Sequence, residues 1–342
     1  MEIKSIAIGT YLEPELVKRI ERAFPDLEVV YEPEILPSPR YKCDHSAPAR
    51  KLTTAQLKNW IEKTSGVDAY FDFDWYQPEK MMDRNQSLKW IQATSAGIGS
   101  FMKRSGLDKA SVMVTTAGGI HALPLSEFAL MGSLYFTKSL PLLEKWKSNS
   151  HWERYTTSQL SGKRVLIIGL GGIGMKTAET FHNLGLQVIG LSRDKAKDRG
   201  SLFERVITKA ELKTELSTID IIIICCPLTA ETEGMLGAEE FAAMKPATIL
   251  VNISRGQVID QDAMTAALGD GTLLGACLDV FNEEPLPHDN ILWKMPNVII
   301  SPHSASTVAS ENSALVELFC QNLSLIELGE RPKNLYEAVR GY

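Results

Sequence analysis

The sequence has little of what marks secreted, metal-binding or membrane-spanning proteins. Only five of its 342 residues are cysteine, and neither a CxxC pair nor an HExxH motif occurs. So few thiols predict neither a disulfide framework nor a metal site, and they suit a reducing compartment. The longest purely apolar run covers residues 221–226, whereas a membrane-spanning helix needs roughly 20 apolar residues. No apolar stretch of signal length opens the sequence, so we expect a cytoplasmic protein without a membrane span.

An excess of positive charge is also missing. Lys and Arg number 36 against 42 Asp and Glu, which gives a formal net charge of −6. This balance argues against a nucleic-acid-binding surface. What is present is an ordinary globular composition with 44% hydrophobic residues, enough for a large buried core. At roughly 150 residues per domain, the length predicts two domains.

The order of the apolar segments predicts α/β structure in both halves. Strands that alternate with helices indicate parallel sheets with right-handed crossovers. The strands expected in the first half are 4–9, 27–31, 69–73, 89–93 and 111–115, with helices at 13–23 and 53–63. The buried strands expected in the second half are 163–169, 186–191, 219–225, 249–253, 275–280 and 298–301. Further helices are expected at 125–140, followed by a polar, tryptophan-bearing tail at 144–155, and at 175–183 and 310–328.

The sequence does not settle the roles of two segments of the first half. Residues 32–51 are interrupted by prolines, which predicts a loop to which the sequence assigns no role. The aromatic residues Tyr70, Phe71, Phe73 and Trp75 fit a core strand, and the wall of an apolar pocket is the alternative.

A glycine-rich turn is the first functional signal. Residues 169–174 read Gly-Leu-Gly-Gly-Ile-Gly, and this GxGxxG pattern lies between an apolar strand and a helix. The first glycine permits a tight turn, the second lets a pyrophosphate approach the backbone, and the third lets the helix pack on the strand. We therefore predict a dinucleotide site that uses Gly169, Gly171, Gly172, Ile173 and Gly174. A purely structural turn and a methyltransferase of similar fold are the alternatives.

The end of the next strand indicates which dinucleotide binds. An NAD site uses a carboxylate there to bind the adenine ribose, but this chain has Ser192 followed by Arg193. A hydroxyl and a guanidinium suit the 2′-phosphate of NADP. The sequence therefore favours NADP, with NAD as the second candidate if Asp194 binds the ribose instead.

Three segments further along the chain add to the glycine turn. They read NISRGQVID at 252–260, LDVFNEEPL at 278–286 and SPHSA at 301–305, and CPLT at 226–229 precedes them. In this order the motifs resemble the D-2-hydroxyacid dehydrogenase family, which includes glyoxylate/hydroxypyruvate reductases. The resemblance runs from about residue 96 to the C-terminus and is weak before residue 90.

The resemblance implies a catalytic set. His303 would be the acid/base residue, and Glu284 would bond its second ring nitrogen and raise the pKa of the imidazole. Arg255 would hold the substrate carboxylate and polarise the keto oxygen. The main chain at Ala96, Gly97 and Ile98 would also grip the carboxylate.

The same resemblance implies further cofactor contacts. Asp279 would bond the nicotinamide carboxamide. The other residues implied at the cofactor are Cys226, Pro227, Thr232, Ile253 and His303.

The architecture that the resemblance implies has two doubly wound parallel-sheet domains with an interdomain cleft. A Rossmann-type cofactor domain would cover 121–303, and a flavodoxin-like substrate domain would cover 1–120 and 304–342. The apolar face of 125–140, with Trp146 and Trp152, would form the interface of a homodimer; packing within one chain is the alternative.

The implied reaction is the NADPH-dependent reduction of a 2-keto acid to a D-2-hydroxy acid by hydride transfer. A small 2-keto or 2-hydroxy acid would be the partner, and the sequence does not name it. A dinucleotide-sensing, corepressor-like binding protein is the alternative, because such proteins retain the same arginine, glutamate and histidine.

Overall fold

The computed structural model describes residues 1–194 and 200–337, which form two compact units. The first unit holds Met1–Ile120 and the chain from Thr307 onward, and the second holds His121–Ser306. Residues 304–306, which the sequence analysis grouped with the first unit, lie in the second. The backbone amides of Ser304 and Ala305 donate hydrogen bonds to the Asp279 carboxylate there, at 2.8 and 2.9 Å.

The first unit is built on a five-stranded parallel sheet with the strand order β2-β1-β3-β4-β5. Its strands are β1 Ser5–Ile8, β2 Glu28–Val30, β3 Ala69–Phe71, β4 Trp90–Gln92 and β5 Met113–Thr115. Its first helices are α1 Pro14–Ala23, α2 Thr54–Thr64, α3 Met81–Arg84 and α4 Gly99–Ser105. The predicted strands are all present, each shorter than its apolar segment.

Local signals explain where the helices of the first unit begin. Pro14 opens α1, where its missing N–H costs no hydrogen bond. Thr53 caps α2 in a capping box with Gln56, so that two backbone donors of the first turn are satisfied. Residues 32–51 contain neither strand nor helix, as their prolines predict.

The second unit is built on a seven-stranded parallel sheet with the order β12-β11-β10-β9-β6-β7-β8. Its strands are β6 Arg164–Ile168, β7 Gln187–Leu191, β8 Arg205–Ile207, β9 Ile221–Ile224, β10 Thr248–Asn252, β11 Leu273–Leu278 and β12 Val298–Ile300. Its helices are α5 Ala122–Thr137, α6 Leu140–Ser148, α7 Gly172–Asn183, α8 Lys209–Leu216, α9 Ala238–Ala243 and α10 Gln261–Asp270. The central strands are buried on both faces, which explains their wholly apolar sequences.

The predicted helix at 125–140 is two helices. α5 begins earlier, at Ala122, and ends at Thr137, and α6 includes part of the predicted tail. Pro141 cannot continue α5, because its ring would clash with the carbonyl one turn earlier. Ser139 therefore turns the chain with φ 56°, and Pro141 lies in the first turn of α6.

The last helix, α11 Glu311–Glu327, belongs to the first unit and packs on β1, β3 and β4 through Leu315, Phe319 and Leu323. Gly329, with φ 75°, follows its end. Across the two described ranges, the helices are too short or too polar to span a bilayer.

Candidate active site

The glycine turn joins β6 to α7 at the carboxyl edge of the second sheet. Gly169 has φ 97°, and a Cβ there would lie 2.6 Å from the backbone of Cys226. A Cβ on Gly174 would lie 1.9 Å from the Gly169 carbonyl oxygen. Both positions therefore require glycine, one for its conformation and both for close packing.

Gly171 and Gly172 are instead exposed. A Cβ on Gly171 would meet no atom within 4 Å, so the space above the turn is open. α7 begins at Gly172, three residues before the predicted start, and no described side chain caps it. The first backbone N–H groups of α7, which include that of Ile173, therefore receive no side-chain cap, and such a helix start can bind a phosphate.

The end of β7 presents the two residues predicted to choose the dinucleotide. Ser192 donates its backbone N–H to Ile207 at 3.0 Å, and its hydroxyl accepts from the Asp194 amide at 3.3 Å. The exposed Arg193 guanidinium lies 3.7 Å from the carboxylate of Glu231. This acidic neighbour was not expected from the sequence.

The segment after β9 forms the neighbouring wall. The Thr232 hydroxyl donates to the Pro227 carbonyl at 2.7 Å and accepts from the Thr229 amide at 2.8 Å, which fixes this turn. Burial raises the pKa of the Cys225 thiol to about 12 and that of Cys226 to about 11. Both cysteines are therefore protonated wall and core residues rather than reactive thiolates.

Arg255 projects from a turn that follows β10 and the buried Ile253. The Asn252 side chain organises this turn: its Oδ1 accepts from the Ser254 amide and hydroxyl at 3.1 and 3.0 Å, and its Nδ2 donates to the Arg255 carbonyl at 3.0 Å. The Arg255 guanidinium donates to the Ser254 carbonyl at 2.6 Å. Asn252 was not predicted as a site residue, although it stands within the NISRG motif.

Asp279, directly after β11, is almost fully buried and positions the segment that carries His303. Its Oδ1 accepts from the Ser301 hydroxyl at 2.6 Å and from the amides of Ser304 and Ala305. Burial raises its pKa, and these hydrogen bonds oppose that rise. The His303 amide also donates to the Asp279 carbonyl at 2.9 Å.

His303 and Glu284 form a hydrogen-bonded pair. The Nδ1 of His303 lies 2.8 Å from Oε2 of Glu284, whose Oε1 accepts from the Phe281 amide at 3.0 Å. The two side chains are 45% and 37% exposed, so the pair is open to a ligand. His303 has φ 53°, a left-handed conformation that the surrounding hydrogen bonds hold. Within the described ranges, Nε2 of His303 makes no hydrogen bond.

The electrostatics of the pair follow from these contacts. The hydrogen bond that His303 donates to Glu284 raises the pKa of His303, and partial burial opposes this rise. Burial would raise the pKa of Glu284, but the hydrogen bonds from His303 and Phe281 outweigh it, so the pKa of Glu284 is lowered. The charge of Arg255 lowers both pKa values, which places the guanidinium in the electrostatic range of the pair.

The predicted substrate loop lies in the first unit, after β4. Ala96 is half-buried, Gly97 is exposed, and Ile98 is buried at the start of α4.

The parts of the chain that the structure describes contain no group of three His, Cys, Asp or Glu side chains arranged to hold a metal ion.

Comparison with known proteins identifies the architecture. The family model described as the NAD binding domain of D-isomer specific 2-hydroxyacid dehydrogenases matches residues 130–305, about half of the chain. A glyoxylate reductase from Thermofilum pendens is 31% identical over 265 residues, which cover 75% of this chain and 77% of that protein.

Solved structures give the same answer for the whole chain. A D-isomer specific 2-hydroxyacid dehydrogenase from Xanthobacter autotrophicus Py2, in complex with NADPH and MES, matches with 26% identity, a TM-score of 0.77 and coverage of 100% of both chains. An NADPH-dependent glyoxylate/hydroxypyruvate reductase from Sinorhizobium meliloti, at 24% identity, shares the fold with a TM-score of 0.77 over 99% of this chain and 100% of that one.

Proposed function

The chain belongs to the D-isomer specific 2-hydroxyacid dehydrogenase family, and from this premise we propose that it uses NADPH to reduce a 2-keto acid to the D-2-hydroxy acid. The observation that carries the proposal is the 2.8 Å hydrogen bond between His303 Nδ1 and Glu284. It leaves Nε2 as the nitrogen that can give a proton to a keto oxygen. His121–Ser306 would be the cofactor domain, and the first unit would be the substrate domain.

The glycine turn fits a dinucleotide. The open space above Gly171 and the uncapped start of α7 provide donors for a pyrophosphate. Ser192 and Arg193 offer a hydroxyl and a guanidinium to a 2′-phosphate, which favours NADPH over NADH. The related protein from Xanthobacter autotrophicus Py2 binds NADPH, which supports this choice. NAD remains the second candidate, through Asp194.

Asp279 has two functions in this proposal. Its Oδ1 fixes the segment of His303, while Oδ2 makes no hydrogen bond with any described residue. Oδ2 is therefore available to accept from the carboxamide of a nicotinamide. Cys226, Pro227, Thr232 and Ile253 would line the same cofactor.

The proton chemistry belongs to His303. A bound reduced nicotinamide supplies the hydride to the keto carbon. His303, kept protonated by Glu284, gives its Nε2 proton to the oxygen that becomes the hydroxyl. Reduction of the carbonyl is thus balanced by one hydride and one proton.

Arg255 would bind the substrate carboxylate and polarise the keto oxygen, because its planar fork can bond two oxygens at once. The backbone amides of Ala96, Gly97 and Ile98 would bind the same carboxylate. The glyoxylate reductase activity named for the relative from Thermofilum pendens supports a 2-keto acid as the class of substrate. The relatives named as reductases favour an enzyme over a dinucleotide sensor.

We also propose that the protein is a homodimer of the cytoplasm. Apolar side chains of α5 and α6 are exposed on one chain, and a second copy would cover them. These exposed side chains include Leu123, Met131, Leu134 and Leu143.

The direct test is loss of nicotinamide absorbance when the purified protein, NADPH and a panel of 2-keto acids are mixed. His303→Asn should lower kcat for reduction by about 10²–10⁴-fold, the contribution of a general acid. The Kd for NADPH, measured by fluorescence titration, should stay within a factor of about two.

His288→Asn is the matched control, since His288 is assigned no role at the site, and it should leave kcat unchanged. If His303→Asn abolishes NADPH binding, the residue is structural. If the wild-type protein oxidises NADPH with none of the keto acids, the reductase proposal fails and the sensor is favoured.

A further inference from the structure

Three aromatic side chains pack together at the carboxyl edge of the first sheet. Phe73 and Trp75 follow β3, and Phe101 lies in α4. The ring centroid of Phe101 is 4.3 Å from that of Phe73 and 5.1 Å from that of Trp75. Phe73 is buried with Tyr70 and Phe71, as expected for core residues. Trp75 and Phe101 are only half-buried, so their rings are partly open to a ligand.

The Trp75 indole is fixed by a buried carboxylate. Its Nε1 donates to Oδ2 of Asp72 at 2.8 Å, and Oδ1 of Asp72 accepts from the Thr94 hydroxyl at 3.0 Å. Asp72 is 1% exposed and has φ 67°. A buried carboxylate in a left-handed conformation is costly, and such groups persist where they orient another side chain.

These contacts place Trp75 beside residues 95–100. Asp72 connects Trp75 to Thr94, which directly precedes this loop, and Phe101 connects Trp75 to the residue that directly follows it. The loop contains the amides proposed to bind the substrate carboxylate. In open α/β sheets, ligands bind at the carboxyl edge of the strands, where all these residues lie.

The surroundings of Trp75 suit an apolar group. The nearby carboxylates are engaged: Asp72 accepts three hydrogen bonds, and Asp74 pairs with Arg84 at 2.8 Å. The half-exposed indole therefore offers a flat apolar face. In a 2-keto acid, the side chain is bonded directly to the keto carbon, two bonds from the carboxylate carbon, so it lies close to whatever holds the carboxylate.

We propose that Trp75 selects 2-keto acids that carry a bulky apolar side chain, aryl or branched alkyl, over glyoxylate, which carries only hydrogen. This inference rests on the proposed function and specifies its substrate class. Asp72 is a positioning residue that holds the indole.

The test compares kcat/KM for phenylpyruvate, 4-methyl-2-oxopentanoate, 2-oxoglutarate and glyoxylate. We expect the wild-type protein to prefer the two apolar keto acids. Trp75→Ala should lower kcat/KM for phenylpyruvate about tenfold, the size of an aromatic contact with its buried area. It should change kcat/KM for glyoxylate by less than about twofold, since hydrogen makes no contact with the indole. The kcat/KM of Trp75→Phe for phenylpyruvate should lie between those of the wild-type protein and Trp75→Ala.

Two controls distinguish a change in substrate selectivity from a change in folding or in cofactor binding. Trp293→Ala removes a tryptophan that is 51% exposed in the second unit, and it should leave the substrate ratio unchanged. Each Trp75 variant should keep the melting temperature and the Kd for NADPH close to wild type.

Asp72→Gly tests the positioning role, because glycine adopts the left-handed conformation without strain but has no side-chain group that accepts from the indole. It should raise KM for phenylpyruvate with little change in kcat. The Asp72→Gly/Trp75→Ala double variant should be no more impaired with phenylpyruvate than Trp75→Ala, because both changes remove one interaction.

The outcomes separate this inference from the proposed function. A wild-type protein that reduces no keto acid overturns both. The inference alone is overturned if the wild-type protein reduces keto acids but prefers glyoxylate or 2-oxoglutarate. It is also overturned if the Trp75 variants lower kcat/KM by the same factor for every keto acid.

Discussion

At the scale of single residues, the proposed function makes the Glu284–His303 pair the control of how reduction depends on pH. Hydrogen bonding to Glu284 raises the pKa of His303, and the proposed proton transfer requires the protonated imidazole. We therefore expect kcat/KM for reduction to be constant at low pH and to fall as pH rises through the pKa of His303. Glu284→Gln removes the negative charge, so the falling limb should move to lower pH, as measured by initial rates across a pH series.

The neighbouring Glu283 provides the matched control. Glu283→Gln removes the same charge one residue away and should leave the profile in place, because it is Glu284 that accepts the hydrogen bond of His303. A Glu284→Gln profile identical to wild type would remove the pair from the proton transfer step.

Arg193 is the residue that we expect to decide between the two dinucleotides. Its guanidinium should contact the 2′-phosphate, so Arg193→Ala should weaken NADPH binding roughly 10- to 150-fold and NADH binding very little, as expected for one charge-assisted hydrogen bond of about 1.5–3 kcal/mol. The Kd values can be measured by fluorescence titration. Equal effects on both cofactors would contradict the assignment.

Glu231 provides a second test of the choice between the dinucleotides, in which NADPH binding is expected to become tighter rather than weaker. Its carboxylate lies 3.7 Å from the Arg193 guanidinium and would repel a 2′-phosphate bound there. Glu231→Gln should therefore tighten NADPH binding and leave NADH binding unchanged, while the nearby Glu233→Gln should alter neither. Weaker NADPH binding in Glu231→Gln would show instead that the carboxylate orients Arg193 productively.

At the scale of elements, the turn after β10 holds Arg255 through a close backbone contact. A Cβ on Gly256 would lie 2.0 Å from the Phe281 carbonyl carbon and 2.2 Å from its oxygen. Backbone cannot move aside as a flexible side chain can, so Gly256→Ala must displace either this turn or the segment leading to Glu284. We expect a loss of about 1–3 kcal/mol of unfolding free energy and a lower kcat/KM for the keto acid.

Gly269→Ala is the matched control for that substitution. Gly269 lies within α10, where a Cβ would meet no atom within 4 Å. Alanine there should stabilise the helix by up to about 1 kcal/mol and leave kcat/KM unchanged. Denaturant unfolding and initial rates measure both variants, and equal unfolding free energies would contradict the packing argument.

At the scale of the whole molecule, the exposed apolar side chains of α5 predict a second copy. Met131 and Leu134 are 44% and 37% exposed, and a pair of glutamates there would be costly to bury in an interface. Light scattering should give twice the mass of one chain for the wild-type protein and the mass of a single chain for Met131→Glu/Leu134→Glu. Leu328→Glu, at a side chain 74% exposed in the first unit, should remain a dimer. A wild-type monomer would contradict the homodimer.

Most of the architecture could be predicted from the sequence, because buried parallel strands have wholly apolar sequences and the glycine turn is a local pattern. The sequence-based prediction is wrong at β8 and at the start of α7, and each error has a local cause. β8, Arg205–Ile207, escaped prediction because three residues that begin with arginine carry no hydrophobic pattern. α7 begins three residues before its predicted start because its first turn contains two glycines, Gly172 and Gly174, whose low helix propensity hides the helix in the sequence.

The residue order fixes the chemistry available to this protein: a glycine turn that only Gly169 and Gly174 can form, and an arginine, a glutamate and a histidine in one order along the chain. Which side chains meet depends on the folded chain. Folding brings Glu284 to Nδ1 of His303, Glu231 beside Arg193 and Asp72 to the indole N–H of Trp75. A periodic pattern or a short motif reports neighbours along the chain, whereas these contacts depend on how strands, turns and helices pack in three dimensions.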